Sequence, residues 1–183
     1  MGLEVFNPFA GLLGEKQQQD SWRWGTAVGT EPLRVQLDGD STPLITPPDT
    51  LIPVLTGDRV RVHVHNRRAT IVGRTKSPTD KRTLPFIAGW TPYGGGYAEP
   101  TVRRDPSGRI SLSGLCRPGT MTSGTSFSTV PVAQWAPGSR HVFPVLTSGG
   151  IGRVDVGSDR QLLFMSGTGS FVSLEGISWH PGE

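Results

Sequence analysis

The chain is poor in reactive side chains, with one cysteine and four histidines in 183 residues. A lone Cys116 excludes an internal disulfide and any multi-cysteine zinc site. With no histidine or carboxylate beside it in strand-like sequence, it reads as a buried, inert thiol. His63, His65, His141 and His180 form no H-E-x-x-H or other spaced zinc motif. No G-x-S-x-G elbow anchors serine chemistry. Lysine is scarce too: Lys16, Lys76 and Lys81 leave arginine to supply nearly all the positive charge. A net charge of +3 and a pI near 9.5 are too weak to argue for nucleic acid alone. No apolar run is long enough to span a bilayer. The opening "MGLEVFNPFAGLLGEK" lacks a basic n-region and is interrupted by Pro8, so it does not read as a signal peptide. Asn7 stands where a myristoylation motif prefers Ser or Thr. These absences predict a soluble protein made in a cytoplasm, without membrane insertion.

What is present is turn chemistry. The 25 glycines and 16 prolines are spread between short Val/Leu/Ile/Thr runs rather than pooled, which is the pattern of an all-β chain. Residues 1–20 form an apolar-then-polar leader with nothing of its own to pack against, expected to dock on another chain. Residues 21–74 read as about five short strands. In "GDRVRVHVHNRRATIVGR", Val60, Val62 and Val64 alternate with Arg59, Arg61, His63 and His65, and Asn66-Arg67 marks the turn back. That is the size and pattern of a small closed barrel of the OB type. Residues 75–88 are polar and proline-punctuated, as a linker is. Residues 89–183 carry strands near 97–104, 109–116, 125–132, 140–146, 151–156, 161–166 and 170–179, spaced as in a jelly-roll-like β-sandwich. Within them "SGRISLSGL" (107–115) echoes "TGSFVSLEGI" (168–177), which predicts core positions for Leu112 and Leu174.

Chemistry-bearing constellations are few. Asp38 and Asp40 flank a glycine turn, the ordinary place for aspartate. "GGIGRV" at 149–154 lacks the spacing and following helix of a dinucleotide loop, so it reads as a turn. His63 and His65 point to one strand face and are the only metal candidates. Their arginine neighbours Arg59, Arg61 and Arg67 repel a cation, and an interface pair is the simpler reading. The same basic face fits a single-stranded nucleic-acid barrel, which also needs stacking rings. Trp22 and Trp24 share one strand face there, or plug a barrel end. The densest aromatic stretch is "GWTPYGGGY", with Trp90, Tyr93 and Tyr97 around Gly94–Gly96. Trp135, beside Pro137-Gly138, reads as an exposed loop residue, and Trp179 as structural.

Two stretches together carry a resemblance. "WRWGTAVGTEPLRVQLDGDSTPL" and "VLTGDRVRVHVHNRRATIVGR" resemble the OB-type domain of minor tail and baseplate proteins of long-tailed bacteriophages. "YGGGYAEPTVRRDPSGRISLSGLCRPGT", "VPVAQWAPGSRHVFPV", "GRVDVGSDRQL" and "FVSLEGISWH" resemble the head of phage tail-tip receptor-binding proteins. The resemblance covers roughly residues 20–180 and rests on the order of its motifs. It implies a non-enzymatic homotrimer in the virion, at the tail tip, without cofactor or nucleic-acid partner. The leader and barrel would attach to other tail-tip proteins, and the β head would touch host cell-wall carbohydrate. It implies Trp90, Tyr93, Tyr97 and Trp135 as candidate glycan contacts. A free carbohydrate-binding module and a single-stranded nucleic-acid-binding OB protein are the alternatives.

Overall fold

The structure, a computed structural model, describes residues 20–75 and 80–183. The leader read over 1–20 therefore lies, but for Asp20, outside the described residues. The chain divides between residues 75 and 76 into two compact units, both all-β.

The first unit contains β1 (Ser21–Thr30), β2 (Leu33–Leu37), β3 (Asp49–Thr50), β4 (Arg59–His65) and β5 (Arg68–Arg74). Their order is β2-β1-β4-β5-β3, antiparallel except for the parallel β3–β5 pair. No ladder joins β2 to β3. One hydrogen bond, from the Leu44 amide to the Val35 carbonyl at 2.8 Å, ties the connecting loop across that seam. The barrel is thus of the OB type but partly open rather than closed. The alternation of β4 decides which face is core. Val60 and Val62 are fully buried with Val35, Leu37 and Ile71, and Val64 packs against that cluster. Asn66 and Arg67 both adopt positive φ, at 51° and 63°, and His65 pairs with Arg68. This is the mirror-image two-residue turn that suits a twisted hairpin.

The second unit contains β6 (Lys81–Thr83), β7 (Thr91–Pro92), β8 (Thr101–Arg104), β9 (Ile110–Ser113), β10 (Leu115–Arg117) and β11 (Thr125–Thr129). It continues with β12 (His141–Thr147), β13 (Gly150–Val156), β14 (Gln161–Ser166), β15 (Val172–Ser173) and β16 (Ser178–Trp179). A seven-stranded sheet, β11-β14-β13-β12-β15-β10-β7, and a four-stranded sheet, β16-β9-β8-β6, make the sandwich. The two echoing segments are partners. β10 pairs with β15 in one sheet and β9 with β16 in the other, so both segments cross between sheets side by side. Leu112 and Leu174 are buried, as the echo predicts. The strand read over 170–179 is broken by this crossing, and the one read over 97–104 begins only at Thr101.

The linker reading of 75–88 needs correcting over residues 81–86, while 76–79 lie outside the described residues. Lys81–Thr83 pairs with β8, the Leu84 amide bonds the Pro100 carbonyl, and Phe86 bridges to Ser128. The physical reason is its apolar end: Leu84 is buried, which holds the segment on the sandwich. Among the described residues no helix is long and apolar enough to cross a membrane.

Ile71 is fully buried in the barrel core. Ile71→Ala is expected to lower the unfolding free energy of this unit by about 2–5 kcal/mol. Hydrogen exchange at the β4 and β5 amides checks this, and unchanged protection there contradicts it.

Candidate functional site

The glycine triplet before Tyr97 bends the chain without packing against anything. Gly94, Gly95 and Gly96 have φ of 74°, 64° and 84°, a left-handed run that side chains resist. The bend folds Tyr97 back onto Tyr93, ring edge to ring face, with centroids 5.3 Å apart at 81°. Tyr93 is anchored by its amide, which bonds the Leu115 carbonyl at 2.9 Å. Phe171, just before β15, stands edge-on to Tyr93 at 6.1 Å. The guanidinium of Arg117 lies 5.5 Å from the centre of the Tyr93 ring, within cation–π range. These rings, with Leu115 and Leu146, line a cleft of about 340 Å³. That is at the small end of ligand pockets, which run roughly 300–1,000 Å³.

The walls of the cleft are largely apolar and unusually open. Tyr97 is 61% exposed and Leu146 is 60% exposed. Ser173 and Glu175 supply a polar rim. Glu175 accepts the Gly114 amide proton at 2.9 Å, which fixes the carboxylate beside the rings. Among the described residues no second carboxylate, histidine or free thiol lines the cleft. Cys116, next to Leu115, faces the core, and burial pushes its thiol up to about 12. An aromatic cleft with one fixed carboxylate can bind a ring with an apolar face and a polar edge. It holds no acid–base pair.

Two of the four aromatic candidates are elsewhere. Trp135 is 4% exposed, which corrects its reading as an exposed loop residue. It ends a short 3-10 turn, Ala133–Trp135, and its carbonyl accepts the Trp179 indole N–H at 2.7 Å. The loop after it is clamped because the Gly138 and Ser139 amides both bond the Glu183 carbonyl. Trp90 is likewise buried, stacked on Phe127 at 4.4 Å, with its indole N–H on the Thr120 carbonyl. Both are core residues. Phe171, Leu146 and Glu175 were not singled out from sequence. The signal for Leu146 was its outward parity in "HVFPVLT", alternating with the buried Val145 and Thr147.

In the barrel, Trp22 and Trp24 do not plug an end. They lie on the outer face, 54% and 37% exposed, with Arg61 about 5.4 and 5.3 Å over the two rings. His63 stacks on Trp22 at 4.5 Å, while the His65 ring bonds Asp20 and holds that carboxyl below the usual range. Among the described residues no three His, Cys, Asp or Glu side chains converge as metal ligands, His63 and His65 included. Asp38 makes a two-pronged contact with Arg59 that holds its carboxyl low, and Asp40 pairs with Arg23 at 2.9 Å. Both aspartates brace the turn that carries them. A larger cleft of about 620 Å³ lies beside this turn, formed by the 39–46 connection with Val64, Arg67 and Ala69, and it contains no aromatic ring.

Comparison of the chain with protein families, curated proteins and solved structures finds no match.

Cys116 is expected to resist a thiol reagent such as DTNB at about pH 8 until the protein is unfolded, because only thiolate reacts. Stoichiometric labelling of the native protein contradicts the buried placement.

Proposed function

We propose that this chain is a non-enzymatic receptor-binding protein of a phage tail tip, whose 76–183 unit holds a host-surface glycan in the Tyr93–Tyr97–Phe171 cleft. The observation that carries the reading is the open aromatic cleft itself. The Tyr97 ring, of a kind that a folding chain would bury, follows a left-handed glycine bend and stays at the surface beside the half-buried Tyr93 and Phe171. Tyrosine offers a flat apolar face to the C–H side of a sugar and a hydroxyl to its polar edge. The fixed Glu175 carboxylate and Ser173 add directional acceptors at the rim. A single small site of this kind binds weakly, so a homotrimer displayed in several copies gains adhesion by avidity. The phage assignment rests on the order of sequence motifs described above, including attachment to other tail-tip proteins and assembly in the host cytoplasm.

The Trp22–Arg61–Trp24 face of the barrel favours a second reading, a single-stranded nucleic-acid platform of stacked rings and a guanidinium. Such binding falls steeply with salt.

Tyr97→Ala is expected to weaken binding to a panel of purified bacterial cell-wall polysaccharides about tenfold, or about 1.4 kcal/mol. Retained affinity for every polysaccharide that the wild type binds removes the cleft from the function. In solution the 19.7 kDa chain is expected to run as a trimer of about 59 kDa. A monomer points instead to a free carbohydrate-binding module.

A further inference from the structure

The four-stranded sheet β16-β9-β8-β6 buries Val102, Ile110 and Leu112 and sets the alternate residues on its other face, where Thr101 is covered and Arg103 is exposed. Those residues fall in two rows. Thr83, Thr101 and Ser113 form one, and Lys81, Arg103, Ser111 and Ser178 form the other. Arg109, just before β9, joins the second row by donating to the Ser178 hydroxyl. Three exposed cations, Lys81, Arg103 and Arg109, therefore share one sheet face, and among the described residues none of them makes an ion pair. Two acids lie close in sequence: Asp80, next to Lys81 and itself buried, and Asp105, which accepts from the Ser107 hydroxyl and the Arg109 backbone amide.

The fold does not explain this arrangement. Lys81 and Arg103 are direct cross-strand partners, and like charges placed opposite each other destabilise a sheet. The arginines are also held ready. Arg103 spends only its Nε–H, on Ser111 at 3.2 Å, which leaves both terminal nitrogens for a two-pronged contact with an oxyanion. The row crosses four strands, about 14 Å at the usual strand spacing, which is longer than a single small ion. It also adjoins the aromatic cleft. A second cleft of about 490 Å³, lined by Lys81, Arg82, Thr83, Thr101 and Ser113, shares Ala98 with the first. Among the described residues its carboxylate is Glu99, next to Ala98, and its cations are Lys81 and Arg82; Lys81 joins it to the row through its cross-strand partner Arg103.

We infer that this face binds the acidic groups, carboxylate or phosphate, of an anionic polysaccharide whose neighbouring sugar occupies the tyrosine cleft. The inference rests on the glycan reading and narrows it from any wall carbohydrate to a charged one. Nucleic acid is the other common polyanion and needs several stacking rings, whereas this face is lined mostly by hydroxyls, with the His180 imidazole near Asp105.

The test uses one polymer backbone in three forms: dextran, carboxymethyl dextran and dextran phosphate, with oligothymidylate as the nucleic-acid arm. At about 20 mM salt at least one charged dextran is expected to bind about tenfold better than dextran. That preference should vanish near 0.5 M salt, where the screening length falls to about 4 Å. The double variant Arg103→Gln/Arg109→Gln should lose the preference while melting at or above the wild-type temperature, since the crowded cations are relieved. A clear drop in melting temperature would mean that the arginines serve the fold, and would overturn the inference. So would charged dextrans binding no better than dextran, a preference that survives in the variant, or tighter binding of oligothymidylate. Tyr97→Ala separates the two readings: charge preference that persists without any contribution from Tyr97 leaves the anionic face standing and removes the cleft.

Discussion

Much of the second unit hangs on one close approach, at Gly114. Three chain segments pass from one sheet of the sandwich to the other near this residue. β9 becomes β10 at Gly114 itself, β15 leads to β16 through Leu174–Ile177, and β7 leads to β8 through Tyr93–Pro100. Gly114 has a φ of 100°, and a β-carbon there would lie 2.5 Å from the carbonyl carbon and oxygen of Glu99. Backbone hydrogen bonds clip the crossings together. The Leu174 amide bonds the Gly114 carbonyl and the Leu115 amide the Ala98 carbonyl, while the Glu175 carboxylate accepts from the Gly114 amide. A larger residue there would force these strands apart.

That junction also sorts the surface. On one side the crossing brings Tyr93, Tyr97 and Phe171 together. On the other it leaves a hydroxyl-lined face whose Lys81 makes no ion pair among the described residues, and Ala98 is shared between the two. Both faces run against folding stability. Leaving an aliphatic side chain such as Leu146 mostly exposed forgoes roughly 1.5–3 kcal/mol of burial. Opposed Lys81 and Arg103 repel rather than pair. Local choices that cost stability without serving the core mark surfaces kept for something else.

Sequence made some of this legible and hid the rest for a physical reason. Strict alternation placed the valines of β4 inside, and Asn66-Arg67 marked a turn, because both signals are local. The echo between 107–115 and 168–177 placed Leu112 and Leu174 in the core, although nothing in it disclosed that the two segments pair with each other. Which aromatics reach solvent was not legible. Trp135 and Trp90 look like loop residues beside glycine and proline. Their burial is set by distant partners: the Trp179 indole bonds the Trp135 carbonyl, and the Trp90 ring stacks on Phe127. Tyr97 lies in the same kind of sequence and stays exposed, because its glycine bend folds it back onto Tyr93 at the surface instead of into the core. The linker was misread for a similar reason, since pairing with β8 overrode a polar, proline-punctuated composition.

A glycan bound as proposed lies at the junction held by Gly114. The most direct measurement is an amide chemical-shift map of the isotope-labelled full chain, titrated with a wall polysaccharide that it binds. Saturable shifts should cluster at Tyr97, Ala98, Leu115 and Ser173. Shifts confined to the barrel around Trp22, Trp24 and Arg61 would contradict the account.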